Sequence, residues 1–255
     1  MTFRDLHDGA LPLLLPNAWD VASAIAFVEA GFPAIGTTSF GVAAAAGVPD
    51  GHGNTRDATR LLAHALAPLP VFVSVDVEDG YSAEPDEVAD YVATLGVAGI
   101  NLEDSTDGRL VEPSAHAAKI AAVKTRNPDV YVNARADTYW LGQDATLSAT
   151  LERAAAYVEA GADGVFVPGV TKPPELRELA VNLPVPVNVL VIPGLSLPHL
   201  ADLGIRRVST GSLPYRAALD AALAVAIAVR DGQEPPAATP YAVHQERLRR
   251  LKSDN

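Results

Sequence analysis

Eight short apolar segments alternate with helical ones along this chain, and that alternation constrains the fold more than any other feature. The apolar segments lie at residues 11–16, 34–37, 71–77, 99–102, 130–133, 164–167, 185–191 and 207–209. Helical spacing fills residues 21–30, 55–66, 84–94, 114–125, 145–160, 173–181, 197–203 and 213–229. Apolar runs of this length, bounded by glycine or proline, read as strands buried on both faces. Strands alternating with helices through short joints predict repeated βα units and a parallel sheet. One such joint, EAGFPAIG at residues 29–36, has a counterpart in EAGADGVF at residues 159–166. The length of 255 residues suits one α/β barrel or two small domains. No linker or shift in composition divides the chain before residue 231, and no GxGxxG loop follows the first strand, as a doubly wound sheet would require. The expected fold is therefore α/β, a (β/α)8 TIM-type barrel over residues 1–230. Residues 231–255 form a Pro-rich tail and a charged helix over 241–252, part of the same domain or a subunit contact.

The third strand candidate, VFVSVDVEDGY at residues 71–81, ends in Asp76, Glu78 and Asp79 before Gly80 turns the chain. Carboxylates at the end of a buried strand must meet water, a cation or a substrate. Asp76 and Glu78 are two apart, so on an extended chain they point the same way. A divalent cation would relieve their repulsion, and hard ions such as Mg²⁺ take carboxylate oxygens while keeping several waters. A solvated acidic loop is the alternative.

In a barrel, chemistry collects at the C-terminal ends of the strands. Those ends carry Trp19 and Asp20, Thr38 and Ser39, Asp76 and Glu78, Glu103 and Asp104, and Arg135 and Asp137. Strand six ends in Pro168-Gly169, strand seven contains Asn188, and strand eight runs into Ser209 and Ser212. Four carboxylates near one arginine and a pair of hydroxyls suggest a metal plus an anionic ligand. Arg135 offers a planar fork for a carboxylate or phosphate, or else a structural pair for Asp137. Backbone N–H groups around residues 38–40 could hold the far end of a ligand, or Thr38 and Ser39 could be helix caps. Trp19 has packing at the barrel mouth as its alternative role. His52, between glycines, reads as a loop residue, and His116 and His199 as surface groups.

The formal net charge is −12, and no basic cluster exceeds the one at residues 247–252. That argues against nucleic acid as a partner and means that an anionic substrate must be captured by local groups. The absence of cysteine excludes disulfides, zinc-thiolate sites and cysteine catalysis. No run approaches the roughly 18 apolar residues of a membrane span, and the expected location is the cytoplasm. The alanine-rich apolar segment 213–229 can pack on the core or on another subunit.

Five motifs carry a resemblance. They are TTSFGVAA (37–44), GVPD (47–50), DVEDGY (76–81), GINLED (99–104) and NARAD (133–137). In order and spacing they resemble the isocitrate lyase/phosphoenolpyruvate mutase superfamily over roughly residues 10–230. The resemblance implies a barrel whose last helix is exchanged between subunits of a homodimer or homotetramer. It also implies Mg²⁺, with Mn²⁺ as a substitute, and a small 2-oxo or 2-hydroxy di- or tricarboxylate substrate. Asp76 would be the direct metal ligand, with Glu78, Asp50 and Glu103 holding metal-bound waters. Trp19, Thr38, Ser39, Phe40, Asp76 and Arg135 would contact substrate, and Arg135, Asp50 and Glu103 would serve catalysis. The family's lyases carry a cysteine-containing loop after strand four, where this chain has STDGRL at 105–110. The lysine and asparagine of the mutase gating loop are also absent, and Pro168 replaces a family histidine. The implied activity is a lyase that cleaves a C–C bond or decarboxylates through an enolate, with water, Asp104 or Asp107 supplying the proton. The alternatives are P–C bond chemistry on phosphonopyruvate and a 2-oxo acid binding protein without turnover.

Overall fold

A computed structural model, describing residues 1–253, shows a parallel barrel that closes through its first strand. Residues 254–255, the end of the expected tail segment, lie outside the described residues. The strands are β1 (Leu13–Leu15, continued by Asn17–Ala18), β2 (Ala34–Thr37), β3 (Phe72–Asp76), β4 (Gly99–Glu103), β5 (Tyr131–Arg135), β6 (Gly164–Phe166), β7 (Val187–Leu190) and β8 (Arg207–Ser209). Neighbours in this order pair in parallel. The closure is made by β1, which divides at Pro16. Its first part pairs with β8, Leu13 opposite Arg207, and its continuation pairs with β2, Asn17 opposite Gly36. Proline has no N–H to give either neighbour, while the Pro16 carbonyl accepts from the Gly36 N–H at 2.8 Å. Asn17 then stitches the seam. Its Oδ1 accepts from the Gly211 N–H at 2.9 Å and the Thr210 hydroxyl at 3.1 Å, and its Nδ2 donates to the Thr37 carbonyl at 2.6 Å.

The strands follow from their apolar alternation. Val73, Val75, Ile100, Leu102, Val132, Val165, Val189 and Val208 are buried in the clusters that join sheet to helices. The alternate positions Ser74, Asn101, Asn133, Asn188, Arg207 and Ser209 are buried and polar. They bond one another: Asn133 Nδ2 donates to Asn101 Oδ1 at 2.8 Å, and Arg207 Nη2 donates to the same oxygen at 3.1 Å. At the N-terminal end a 3₁₀ turn (Arg4–Asp8) helps plug the barrel, with His7 stacked on Tyr131 at 4.5 Å and Phe3 edge-on to it at 5.4 Å.

Eleven helices are described: α1 (Val21–Glu29), α2 (Ser39–Ala45), α3 (Arg56–Leu66), α4 (Pro85–Ala93), α5 (Pro113–Arg126), α6 (Thr138–Leu141), α7 (Leu147–Glu159), α8 (Pro173–Asn182), α9 (Leu197–Asp202), α10 (Leu213–Arg230) and α11 (Tyr241–Ser253). Asp20 caps α1 in a capping box with Ser23. Helix α5 starts at Pro113 and takes no cap from Ser114, because proline suits the first helical turn, where no N–H is needed. His116 on α5 is buried, contrary to its reading as a surface group. Its ring meets Tyr157 edge-on at 4.6 Å, and both ring nitrogens are unpartnered. His199 is exposed, as expected. After β4, Ser105–Thr106 and Arg109–Leu110 form a small antiparallel hairpin. Helix α10 leaves Leu219, Leu223 and Ile227 exposed in one stripe. Among the described residues no helix is long and apolar enough to cross a membrane.

Candidate active site

A cavity of about 590 Å³ opens at the C-terminal ends of the strands. Thr38, Ser39, Phe40, Asp50, Asp76, Glu78, Glu103 and Arg135 all line it. Trp19 does not line it. It stands edge-on to Tyr215 at 5.4 Å and packs on Gly41, where an added Cβ would lie 2.8 Å from the Trp19 Cβ. Trp19 is therefore a packing residue.

Asp76 ends β3 and is 9% exposed. Its Oδ2 accepts from the Ser39 N–H at 3.2 Å, and its own N–H donates to Thr37 Oγ1 at 2.9 Å. The Ser39 N–H thus positions Asp76 and is not left over for a ligand. Asp76 Oδ1 is buried with no partner. Burial raises this carboxyl above the usual range, against the pull of Arg135. Thr38 is the N-cap of α2, its hydroxyl 3.5 Å from the Gly41 N–H; the same residue lines the cavity, so the cap and site readings both apply.

Glu78 does not continue the strand. Its φ of +50° turns the backbone, so the extended geometry expected for Asp76 and Glu78 breaks after β3, although both still line the cavity. Glu78 Oε2 accepts from the Gly53 N–H at 3.0 Å, and Oε1 accepts from the Thr55 hydroxyl. This carboxylate therefore anchors the loop that carries Asp50. Burial raises it too, opposed by those hydrogen bonds.

Glu103 ends β4 opposite Arg135 at the end of β5. The register explains their ion pair, in which Arg135 Nη1 donates to Glu103 Oε1. Arg135 Nε donates to Asp137 Oδ1 at 2.5 Å, and the guanidinium lies over Trp140 at 5.6 Å and Phe166 at 5.8 Å. Burial works against its charge, but Glu103, Asp137 and Asp76 outweigh it and raise the guanidinium above its ordinary range. Burial also lifts Glu103 well above the carboxylate range, opposed by Arg135 and reinforced by Asp137 and Asp76.

Asp104 faces away from the cavity. It is fully buried and accepts from Tyr157 at 2.6 Å, Arg153 at 3.1 Å and the Asp137 N–H at 2.8 Å. It holds strand ends together and is not placed to protonate a substrate, whereas Asp107 lines the cavity and contacts His52 Nδ1 at 3.0 Å. His52 and Asn101 also line the cavity. Asn101 was legible in principle, two residues before Glu103 on the same face of the strand. His52 carried no signal beyond its glycine neighbours.

Among the described residues no three acidic or histidine side chains converge tightly enough to enclose an ion. The arrangement instead offers one buried, unpartnered oxygen on Asp76 and carboxylates at a remove. That fits an ion that keeps most of its waters, as Mg²⁺ does, and a cation there would offset the burial and mutual repulsion that raise Asp76, Glu78 and Glu103.

The phosphoenolpyruvate phosphomutase family model matches residues 3–230. An uncharacterized protein of Mycobacterium tuberculosis (strain ATCC 25618 / H37Rv) is 58% identical over 248 residues, 97% of this chain and 96% of that one. The 2-methylisocitrate lyase of Bacillus subtilis (strain 168) is 31% identical over 198 residues, 72% of this chain and 64% of that enzyme. Among solved structures, phosphonopyruvate hydrolase in complex with oxalate and Mg²⁺ matches with a TM-score of 0.84 at 26% identity, covering 100% of this chain and 96% of that one. With its barrel, its strand-end carboxylates and a match running nearly end to end, the chain belongs to the phosphoenolpyruvate phosphomutase family, within the isocitrate lyase/phosphoenolpyruvate mutase superfamily, whose members include carbon–carbon lyases.

Proposed function

We propose that the protein is a Mg²⁺-dependent lyase that cleaves a C–C bond, by retro-aldol cleavage or decarboxylation, in a small 2-oxo or 2-hydroxy carboxylic acid. The observation that carries this reading is the buried, unpartnered Asp76 Oδ1 in a carboxylate-rich cavity that also holds Arg135. Asp76 would hold the ion directly, with Asp50, Glu78 and Glu103 reaching it through water; Mn²⁺ would serve in the same place. When bound, the ion supplies Lewis acidity toward the 2-oxo and carboxylate oxygens. Arg135 presents its remaining N–H groups to the oxygen on which charge develops as the bond breaks. Glu103 and Asp137 fix the guanidinium beforehand, so little reorganisation is left to the reaction. The Thr38 hydroxyl and the Phe40 N–H, from two residues that line the cavity, would take the substrate carboxylate. Proton delivery falls to water or Asp107. The likeness to phosphonopyruvate hydrolase supports a second reading, P–C cleavage, which release of inorganic phosphate from phosphonopyruvate would distinguish.

We also propose a homodimer or homotetramer that exchanges α10, supported by the exposed stripe of Leu219, Leu223 and Ile227.

The test is thermal stabilisation by oxaloacetate, 2-oxoglutarate, isocitrate, methylisocitrate, phosphonopyruvate and pyruvate, each with and without Mg²⁺, followed by turnover assays. A ligand at a hundred times its Kd adds about 2.7 kcal/mol of stability. At least one acid is expected to stabilise the protein only with Mg²⁺. Absence of both Mg²⁺-dependent stabilisation and turnover with every acid tested would overturn the reading.

A further inference from the structure

The cavity is divided by chemistry. Its carboxylates come from the loops and strand ends between β2 and the hairpin after β4: Asp50, Asp76, Glu78, Asp79, Glu103 and Asp107. The side built from the ends of β5 to β8 is mostly apolar. It presents Trp140, Phe166, Leu190, Val191 and Leu213, and Phe40 extends it from the opposite rim. Four of these are exposed although large and apolar: Trp140 at 56%, Leu213 at 45%, Val191 at 41% and Phe40 at 38%. A cavity of about 590 Å³ falls in the range of sites for much larger ligands than a four-carbon acid.

The cations are few. Arg135 is already shared between Glu103 and Asp137. Arg216 is the other arginine lining the cavity, and its side chain makes no ion pair among the described residues. Even with the bound ion, three substrate carboxylates in a cavity with this acidic half would be short of counter-charges, and an apolar wall cannot supply them. An apolar substituent, in contrast, would gain from every methylene it takes out of water.

Resting on the proposed function, we infer that the substrate is a 2-oxo or 2-hydroxy acid with one or two carboxylates and an apolar branch, alkyl or aryl, that lies on the wall of Trp140, Phe166, Leu190, Val191 and Leu213. The 2-oxo acid end sits in the acidic half beside Asp76 and Arg135. A second carboxylate, where there is one, meets Arg216. Tricarboxylates are excluded by charge, which narrows the di- or tricarboxylate class implied by the family resemblance.

The experiment is calorimetry on the full chain with Mg²⁺. Oxalate, which has no branch, probes the acidic half alone. Pyruvate, 2-oxobutyrate, 2-oxopentanoate, 2-oxohexanoate and phenylpyruvate then probe the wall, with isocitrate as the tricarboxylate. Affinity is expected to rise roughly fourfold per added methylene, with isocitrate weaker than 2-oxohexanoate. Replacing the exposed Trp140 and Val191 by serine is expected to flatten the dependence on chain length. Oxalate binding with no gain along the series, or with isocitrate bound as tightly as the longest acid, overturns this inference and leaves the lyase reading standing. Failure of oxalate and of every 2-oxo acid to bind with Mg²⁺ overturns both.

Discussion

Asp76 and Arg135 carry the proposed chemistry, and both stand where an apolar strand ends. Their positions were legible because a charge beside such a strand has few physical reasons to be there. What the sequence could not show was orientation. Glu103 and Asp104 are neighbours, yet one lines the cavity and the other is sealed beneath it, as alternation across a strand requires. Asp76→Ala is expected to abolish Mg²⁺ binding measured by calorimetry, and turnover with it. Arg135→Gln is expected to lower kcat by about 10²–10³-fold, the cost of losing one preorganised charge donor, in a steady-state assay on whichever acid is turned over. His116 shows the same limit on reading a helix, since its burial depends on which face meets the barrel. That burial pushes its imidazole down to about 3, helped by Lys119 and Arg153. The unfolded chain therefore takes up this proton first, near the ordinary histidine value of about 6.5. Stability from this group is complete above that value and is lost as pH falls toward 3, by about 2 kcal/mol at pH 5. Replacing His116 by Phe is expected to shrink the acid-side loss of stability by that amount in urea titrations at pH 7 and pH 5.

At the scale of elements, the eight strands and most helices were legible from apolar runs and caps, with ends shifted by one or two residues. Asp20 and Gly31 bracket α1 as expected. Four of the described elements were not foreseen: α2, the continuation of β1, the hairpin at residues 105–110 and the short α6. Helix α2 is made of small residues with no amphipathic stripe, and only its Thr38 cap hinted at it. The Asn17–Ala18 continuation of β1 follows a proline, and its pairing with β2 is tied down by hydrogen bonds to Thr210 and Gly211, supplied from far along the chain. Asn17 bridges that seam through three hydrogen bonds of its side chain. Asn17→Ala leaves the Gly211 N–H and the Thr37 carbonyl without this partner, at an expected cost of about 2 kcal/mol or more. The midpoint of urea unfolding measures it, and an unchanged midpoint would show that water replaces the side chain.

At the scale of the whole molecule, the closed barrel was legible, whereas the fate of its last helix was not. An alanine-rich apolar helix reads the same whether it covers its own core or a neighbour's. In the single chain, α10 buries only Tyr215 and Ala228, and its exposed leucines fit a partner surface. If the proposed exchange occurs, Leu219→Glu with Leu223→Glu is expected to turn the resulting oligomer into monomers, seen by sedimentation velocity; a wild-type monomer at micromolar concentration would refute the exchange. The closure of the barrel has a further consequence, for biosynthesis. Asn17 and Thr210, bonded across the seam, are 193 residues apart. The first part of β1, among the earliest residues to leave the ribosome, must therefore wait for the last strand to emerge before it finds β8. Until then the nascent chain has two unpaired sheet edges, the features that promote association between unfinished chains. A message truncated before the codons for β8 would yield an open and adhesive sheet, not a weakened enzyme.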